Sequence, residues 1–302
     1  MEDGLASAAF ATGMGAISST ILSLLKQGDH IVSSAYLFGN TNSFFGTIQN
    51  LGIEVSFVDA TDVENVAAAI KDNPRLVFVE TIANPVTQIA DLLPIGQLCR
   101  EKGVIYCVDN TMTSPHLFTP KSVGASLVVN SLTKYIGGHG NALGGSITDT
   151  GLFDWEQFPN ISDSYKGQDP SLWGITQIKK KGLRDMGASL GPEAAHHLAV
   201  GSETLSLRME KACRNAKAIT EFCDKHSKVK NVYYPGLSSH PQHKRAAELF
   251  RWFGALFSID LIDELDCFDF LNKLDSVVSS SNLGDTRTLA IPVAHTIYYE
   301  MG

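Results

Sequence analysis

The chain has 302 residues, 44% of them hydrophobic, and a net charge of −8. That length admits two domains or one large one with a sizeable core, while the acidic excess argues against a binder of nucleic-acid backbones. No apolar run nears the roughly 18–20 residues that span a bilayer, the acidic Met-Glu-Asp-Gly start is unlike a signal peptide, and five cysteines without a CxxC pair favour free thiols in a reducing, cytoplasmic setting.

Helical and strand patterns alternate through the first two thirds. Ile17, Ile21, Leu22, Leu24 and Leu25 form an apolar helical face that Gly28 stops, and Ile31-Val32 reads as a short strand. Phe44, Phe45, Ile48 and Leu51 mark the next helix, ended by Gly52. Val55 to Val58 is strand-like, Val63 to Ile70 helical, and Leu76 to Val79 a continuous apolar run of strand length. A helix from Ile95 to Glu101 follows, then buried strands at Val104–Val108 and Ser126–Asn130. Continuous apolar strands separated by helices are the pattern of a mostly parallel sheet covered on both faces, so the fold class is α/β. Residues 150–182, rich in Gly, Pro and Asp, read as a surface excursion in which Lys179-Lys180-Lys181 form a solvated turn. One long helix is expected over Glu203–His226, a strand over 253–261 and a helix over 267–274. The division expected is a large domain over 1–205 and a smaller α+β domain over 206–302.

In an open parallel sheet, ligands bind beyond the carboxyl ends of the strands. Five places there carry polar or aromatic residues. Ala11-Thr12-Gly13-Met14-Gly15-Ala16 opens the first helix and offers free N–H groups to an anion; the alternative is a glycine turn packing helix on sheet. Asp109 ends a strand and is poised to hold a cation, or to cap a turn. Ser131-Leu132-Thr133-Lys134-Tyr135 follows another strand. A lysine there is desolvated and suited to Schiff-base chemistry, with the two hydroxyls near an anion. Asn84, in Glu80-Thr81-Ile82-Ala83-Asn84-Pro85, could meet a ring hydroxyl or make an ordinary turn, and Phe38 could stack on a planar ligand or join the core. His139, His196-His197 and the His240/His243 pair read as structural, and no metal site is expected. A nicotinamide site is disfavoured because the strand after the glycines ends without an acidic residue for the ribose.

Taken together, these groups describe a site for pyridoxal 5'-phosphate. Lys134 would bind it as a Schiff base and Asp109 would face the pyridinium nitrogen. Gly13, Met14, Ser131 and Thr133 would hold the phosphate, Asn84 the ring hydroxyl, and Phe38 would cover the ring. At these residues the chain resembles the trans-sulfuration (Cys/Met metabolism) family of pyridoxal-phosphate enzymes. The carrying segments are ATGMGAI (11–17), ETIANP (80–85), VDNTMTSP (108–115), SLTKYIGGHG (131–140), GLRDMG (182–187), ETLSLRM (203–209) and YPGLSSHPQH (234–243).

The resemblance implies an aspartate-aminotransferase-like fold, a small amino-acid substrate, and homodimers or homotetramers with shared active sites. Phe38 stands where the family commonly has Tyr, and Asn40 replaces the cysteine typical of methionine γ-lyases. Both departures tilt the expectation toward γ-replacement on an O-acylhomoserine, with a γ- or β-elimination lyase as the alternative. Thr288 matches a position near the substrate carboxylate. The family's N-terminal arm and its carboxylate-gripping arginine have no counterpart between the chain's ends, so a truncated second domain and an inactive fragment are also expected possibilities. Residues 150–182 resemble an insertion relative to shorter members.

Overall fold

The computed structural model describes residues 1–71 and 73–296. Its centre is a seven-stranded sheet in the order β1-β7-β6-β5-β4-β2-β3. The strands are β1 (Ala6–Phe10), β2 (His30–Ser34), β3 (Glu54–Val58), β4 (Pro74–Glu80), β5 (Ile105–Asp109), β6 (Leu127–Asn130) and β7 (Gly145–Asp149). β2 pairs in parallel with β3 and β4, β4 with β5, and β5 with β6. β7 runs antiparallel to both β6 and β1, so it alone opposes the common direction.

Helices α1 (Gly13–Leu24), α2 (Gly39–Gln49), α3 (Val63–Ala69) and α4 (Leu92–Lys102) connect the early strands. Local chemistry sets their ends. The Thr12 and Asp62 side chains cap α1 and α3 by accepting from Gly15 N and Glu64 N, and Gly103 in the left-handed region closes α4. Every residue of β2 is buried, as are the last five of β4, because helices cover both faces. One face packs Ile31, Phe45, Phe78, Cys107 and Leu127 against α1, and the other packs Val32, Val77, Val108 and Ile95. Among the described residues, no helix is long and apolar enough to cross a membrane.

β1 and β7 have no predicted counterpart: Ala-Ser-Ala-Ala-Phe and Gly-Ser-Ile-Thr-Asp lack the long apolar runs of the central strands. Residues 150–182 are corrected from a surface excursion to a core component. Trp155, Phe158, Ile161, Ile175 and Ile178 pack into the cluster around Phe10 and Ile21, and the Trp155 indole donates to Asp149 Oδ2 at 2.8 Å. Its helix α6 (Trp173–Gln177) runs on into a π-helical stretch, Ile178–Arg184. Lys179, Lys180 and Lys181 are exposed as expected, but on a helix rather than a turn.

After the short helix α5 (Ser114–Leu117), the later elements are α7 (Pro192–Ser202), α8 (Leu205–Cys223), β8 (Val229–Tyr233), α9 (His243–Leu249), β9 (Ser258–Leu261), α10 (Cys267–Leu271), β10 (Val278–Ser279) and β11 (Leu289–Ala290). Three expectations change here. The helix predicted to begin at Glu203 begins at Leu205 and stops at Cys223, the strand over 253–261 shortens to Ser258–Leu261, and the helix over 267–274 ends at Leu271. β8 pairs with β9 and β10 with β11, each apart from the large sheet. Ala246 and Phe250 nevertheless join the core beneath it, Phe250 meeting Phe118 edge-on at 5.2 Å. The last six residues of the predicted second domain lie outside the described residues.

Candidate active site

Parallel strands carry their register neighbours side by side on one face, and the ends of β4 and β5 place Glu80 directly opposite Asp109. Two carboxyls thus share the floor of the crevice. Glu80 is 6% exposed, and burial together with the neighbouring Asp109 charge raises it to about 8, while the Phe38 N–H it accepts at 2.6 Å pulls the other way. Burial also raises Asp109, against two hydrogen bonds from Thr111 whose N–H reaches Oδ1 at 2.9 Å. Among the described residues, neither carboxyl has a salt-bridge partner. Asp109, at the end of β5, is the carboxyl placed to receive a cation.

The start of α1 forms the anion-facing side. A helix leaves its first N–H groups without internal partners, here those of Gly13 and Met14, and its dipole favours negative charge there. Glycine at 13 allows close approach: a Cβ would lie 2.9 Å from the Ser131 Cβ. Ser131 is itself held by its N–H to Thr111 Oγ1 at 2.8 Å, which ties the loop after β6 to the turn after β5. The Met14 sulfur accepts from Thr41 Oγ1 at 3.7 Å. Thr133 is engaged differently from the other residues predicted to hold a phosphate. Its hydroxyl accepts from Gly144 N at 3.0 Å and contacts Gly144 O at 3.2 Å, stapling the loop.

Lys134 sits half-buried in that loop, and burial lowers its amine below the ordinary lysine range. Its Nζ donates to Asn282 Oδ1 at 2.8 Å. Arg208, on α8, clamps the backbone just beyond it: Nη1 donates to Tyr135 O at 2.5 Å, and Nη2 to Ile136 O at 3.0 Å and Gly201 O at 2.7 Å. Its Nε donates to Thr204 Oγ1 at 3.0 Å, which gives the ETLSLRM segment a structural task. Gly284, at φ +77°, lies so close that a Cβ there would meet Tyr135 N at 2.6 Å. The 282–284 segment therefore packs directly on the lysine's backbone.

Phe38, the N-cap residue of α2, is 39% exposed, and Asn84 lies half-buried in the turn closed by Ala83 N to Gln88 O at 2.9 Å. Thr288 is exposed at the start of β11, where its carbonyl accepts from Val278 N at 2.9 Å. The histidines have structural partners: His240 meets Thr87 Oγ1 at 3.3 Å, and His243 meets Pro235 O at 2.7 Å and stacks on Phe253. Among the described residues, no three His, Cys, Asp or Glu side chains converge in a way that could hold a metal. Sequence reasoning assigned no role to Glu80, Thr111, Arg208 or Asn282. Glu80 and Arg208 stood inside quoted motifs, whereas nothing local marks Asn282.

A buried carboxyl at Asp109, a desolvated amine and a helix start beside a serine fit the three charged or reactive ends of pyridoxal phosphate: ring nitrogen, aldehyde and phosphate. Comparison with known proteins agrees. The chain is 40% identical over 294 residues to an L-methionine gamma-lyase of Fusobacterium nucleatum subsp. polymorphum, covering 96% of this chain and 69% of that protein. It is 35% identical to an O-acetyl-L-homoserine sulfhydrylase of Leptospira meyeri, over 100% of this chain and 73% of the relative. The crystal structure of metB from Corynebacterium glutamicum superposes with a TM-score of 0.88 at 32% identity, covering 100% of this chain and 73% of that one. The family model described as "Cys/Met metabolism PLP-dependent enzyme" matches residues 1–301. The chain belongs to this family: it is a pyridoxal-phosphate-dependent trans-sulfuration enzyme with small amino-acid substrates.

Proposed function

We propose that the chain catalyses γ-replacement on an O-acylhomoserine: the Cγ–O bond breaks, the acyloxy group leaves as a carboxylate, and a sulfur nucleophile bonds to Cγ. The observation that carries this reading is Phe38. It supplies an aromatic at the head of α2 without the hydroxyl that would help protonate a leaving group. The relatives named as sulfhydrylases support it.

When bound, the cofactor supplies an electron sink for negative charge at the substrate carbons. The chain's residues do the rest. Asp109 faces the ring nitrogen as the counter-charge, with Asn84 at the ring hydroxyl and Phe38 over the ring face. Gly13, Met14, Ser131 and Thr133 would hold the phosphate at the α1 start, Thr133 also keeping its loop closed through Gly144. Lys134 would hold the cofactor's aldehyde, take the proton from Cα and move it along the substrate, and burial lowers its basicity in the direction of the neutral amine that this transfer needs. Thr288 faces the substrate carboxylate. The division into 1–205 and 206–302, and a homodimer or homotetramer with shared sites, belong to the same proposal.

The second reading, an elimination lyase, rests on the 40% identity to the methionine gamma-lyase. The two separate in one assay on the cofactor-loaded protein. γ-Replacement predicts thioether or thiol product only when sulfide or cysteine accompanies O-acetyl- or O-succinylhomoserine. Release of 2-oxo acid from methionine or cystathionine alone, at a comparable rate, would replace it with the lyase reading.

A further inference from the structure

Glu80 has no task in the reaction as set out above, yet it is among the most constrained side chains of the site. It ends β4, is 6% exposed, and its Oε1 accepts the Phe38 N–H at 2.6 Å across 42 residues of sequence. Phe38 occupies the N-cap position of α2, and no side chain caps that helix locally. In a capping box, a glutamate within the first turn reaches back to the N-cap N–H; here the carboxyl comes instead from a neighbouring strand. The same side chain stands in register with Asp109. One residue therefore touches the helix start that carries the aromatic and adjoins the carboxylate beneath the ring.

Resting on the site reading given above, we propose that Glu80 is a positioning residue for the cofactor: it anchors Phe38 and the first turn of α2 to the tip of β4, so that the aromatic covers a ring held by Asp109. The neutral carboxyl suffices for this. Among the described residues, Asp109 is the charged group that acts on Glu80, and with burial it favours the protonated carboxyl; β4 and the start of α2 present no cation to it. Glutamine has the same shape and the same acceptor oxygen, so it is the conservative replacement. Aspartate is one methylene short of the Phe38 N–H.

The test titrates pyridoxal phosphate into apoprotein of wild type, Glu80→Gln and Glu80→Asp, following absorbance and the visible circular dichroism of the bound cofactor. Glu80→Gln should keep Kd within about threefold and retain the dichroism, whereas Glu80→Asp should weaken binding about tenfold, as loss of one well-placed hydrogen bond does. The dichroism per bound cofactor should also fall in Glu80→Asp, since the ring loses its fixed cover. In a Phe38→Leu background the same aspartate change should cost less than about twofold, because its effect runs through residue 38. Wild-type Kd and dichroism in Glu80→Asp, an undiminished penalty beside Phe38→Leu, or equal damage from Gln and Asp would each overturn the proposal. Failure of the wild-type chain to take up cofactor would instead overturn the site reading on which it rests.

Discussion

The carboxyl floor and the lysine loop of the site are held by two different kinds of scaffold. Glu80 and Asp109 end adjacent strands whose backbones are paired residue by residue from Leu76–Ile105 to Glu80–Asp109, with apolar packing on both faces. Lys134 lies in irregular backbone after β6, secured by Arg208 from α8 and by Asn282 from between β10 and β11. A counter-charge must hold still, and a sheet interior gives it that rigidity. Lys134 is restrained by a few polar bonds rather than by a packed sheet, which under the proposed function leaves it able to change position as it moves a proton.

Three substitutions test this contrast. Lys134→Ala should have the largest effect: loss of the borohydride-reducible link to the cofactor and a fall in turnover of about 10^3-fold or more, measured against substrate at saturation. Turnover near the wild-type level would remove Lys134 from the chemistry. Arg208→Ala strips the loop carbonyls of Tyr135 and Ile136 of their charged donor, and should cost about 2–4 kcal/mol of stability in denaturant titration. Cofactor occupancy should fall with it. If stability drops while occupancy holds, the loop is fixed by its other contacts, Gly284 included. Asn282→Ala removes one acceptor from a half-buried amine, and its expected effect is the smallest, about threefold to tenfold on kcat with cofactor affinity nearly unchanged. A larger loss of cofactor binding would show that Asn282 belongs to the rigid floor instead.

The parts of the fold legible in sequence were those with strong local signals. The apolar runs at Leu76–Val79, Val104–Val108 and Leu127–Val129 mark buried strands, and the polar residues beyond the last two are what put Asp109 and Lys134 forward as site residues. β1 and β7 were silent because Ala, Ser and Gly carry little strand preference, and their pairing with each other and with β6 is a long-range event. Residues 150–182 misled through composition: Gly, Pro and Asp shape the turns, while Trp155, Phe158 and Ile161 supply the buried surface between them. Thr133 carries the residue type for an anion site, and only the fold shows that its hydroxyl also bonds to Gly144.

Local pattern is enough to set the alternation of helix and strand, the mostly parallel sheet, and the residue types at its strand ends. Each follows from periodicity, burial and turn chemistry within a dozen residues or so. Which of those residues act on one another depends on how distant segments come together. Register set Glu80 beside Asp109, chain reversal brought Phe38 onto Glu80, and the folding back of the last third laid Arg208 and Asn282 on the lysine loop. Hydrogen bonds and charge interactions act over a few ångströms in space whatever the separation along the chain, so local pattern could name the groups but not their partners.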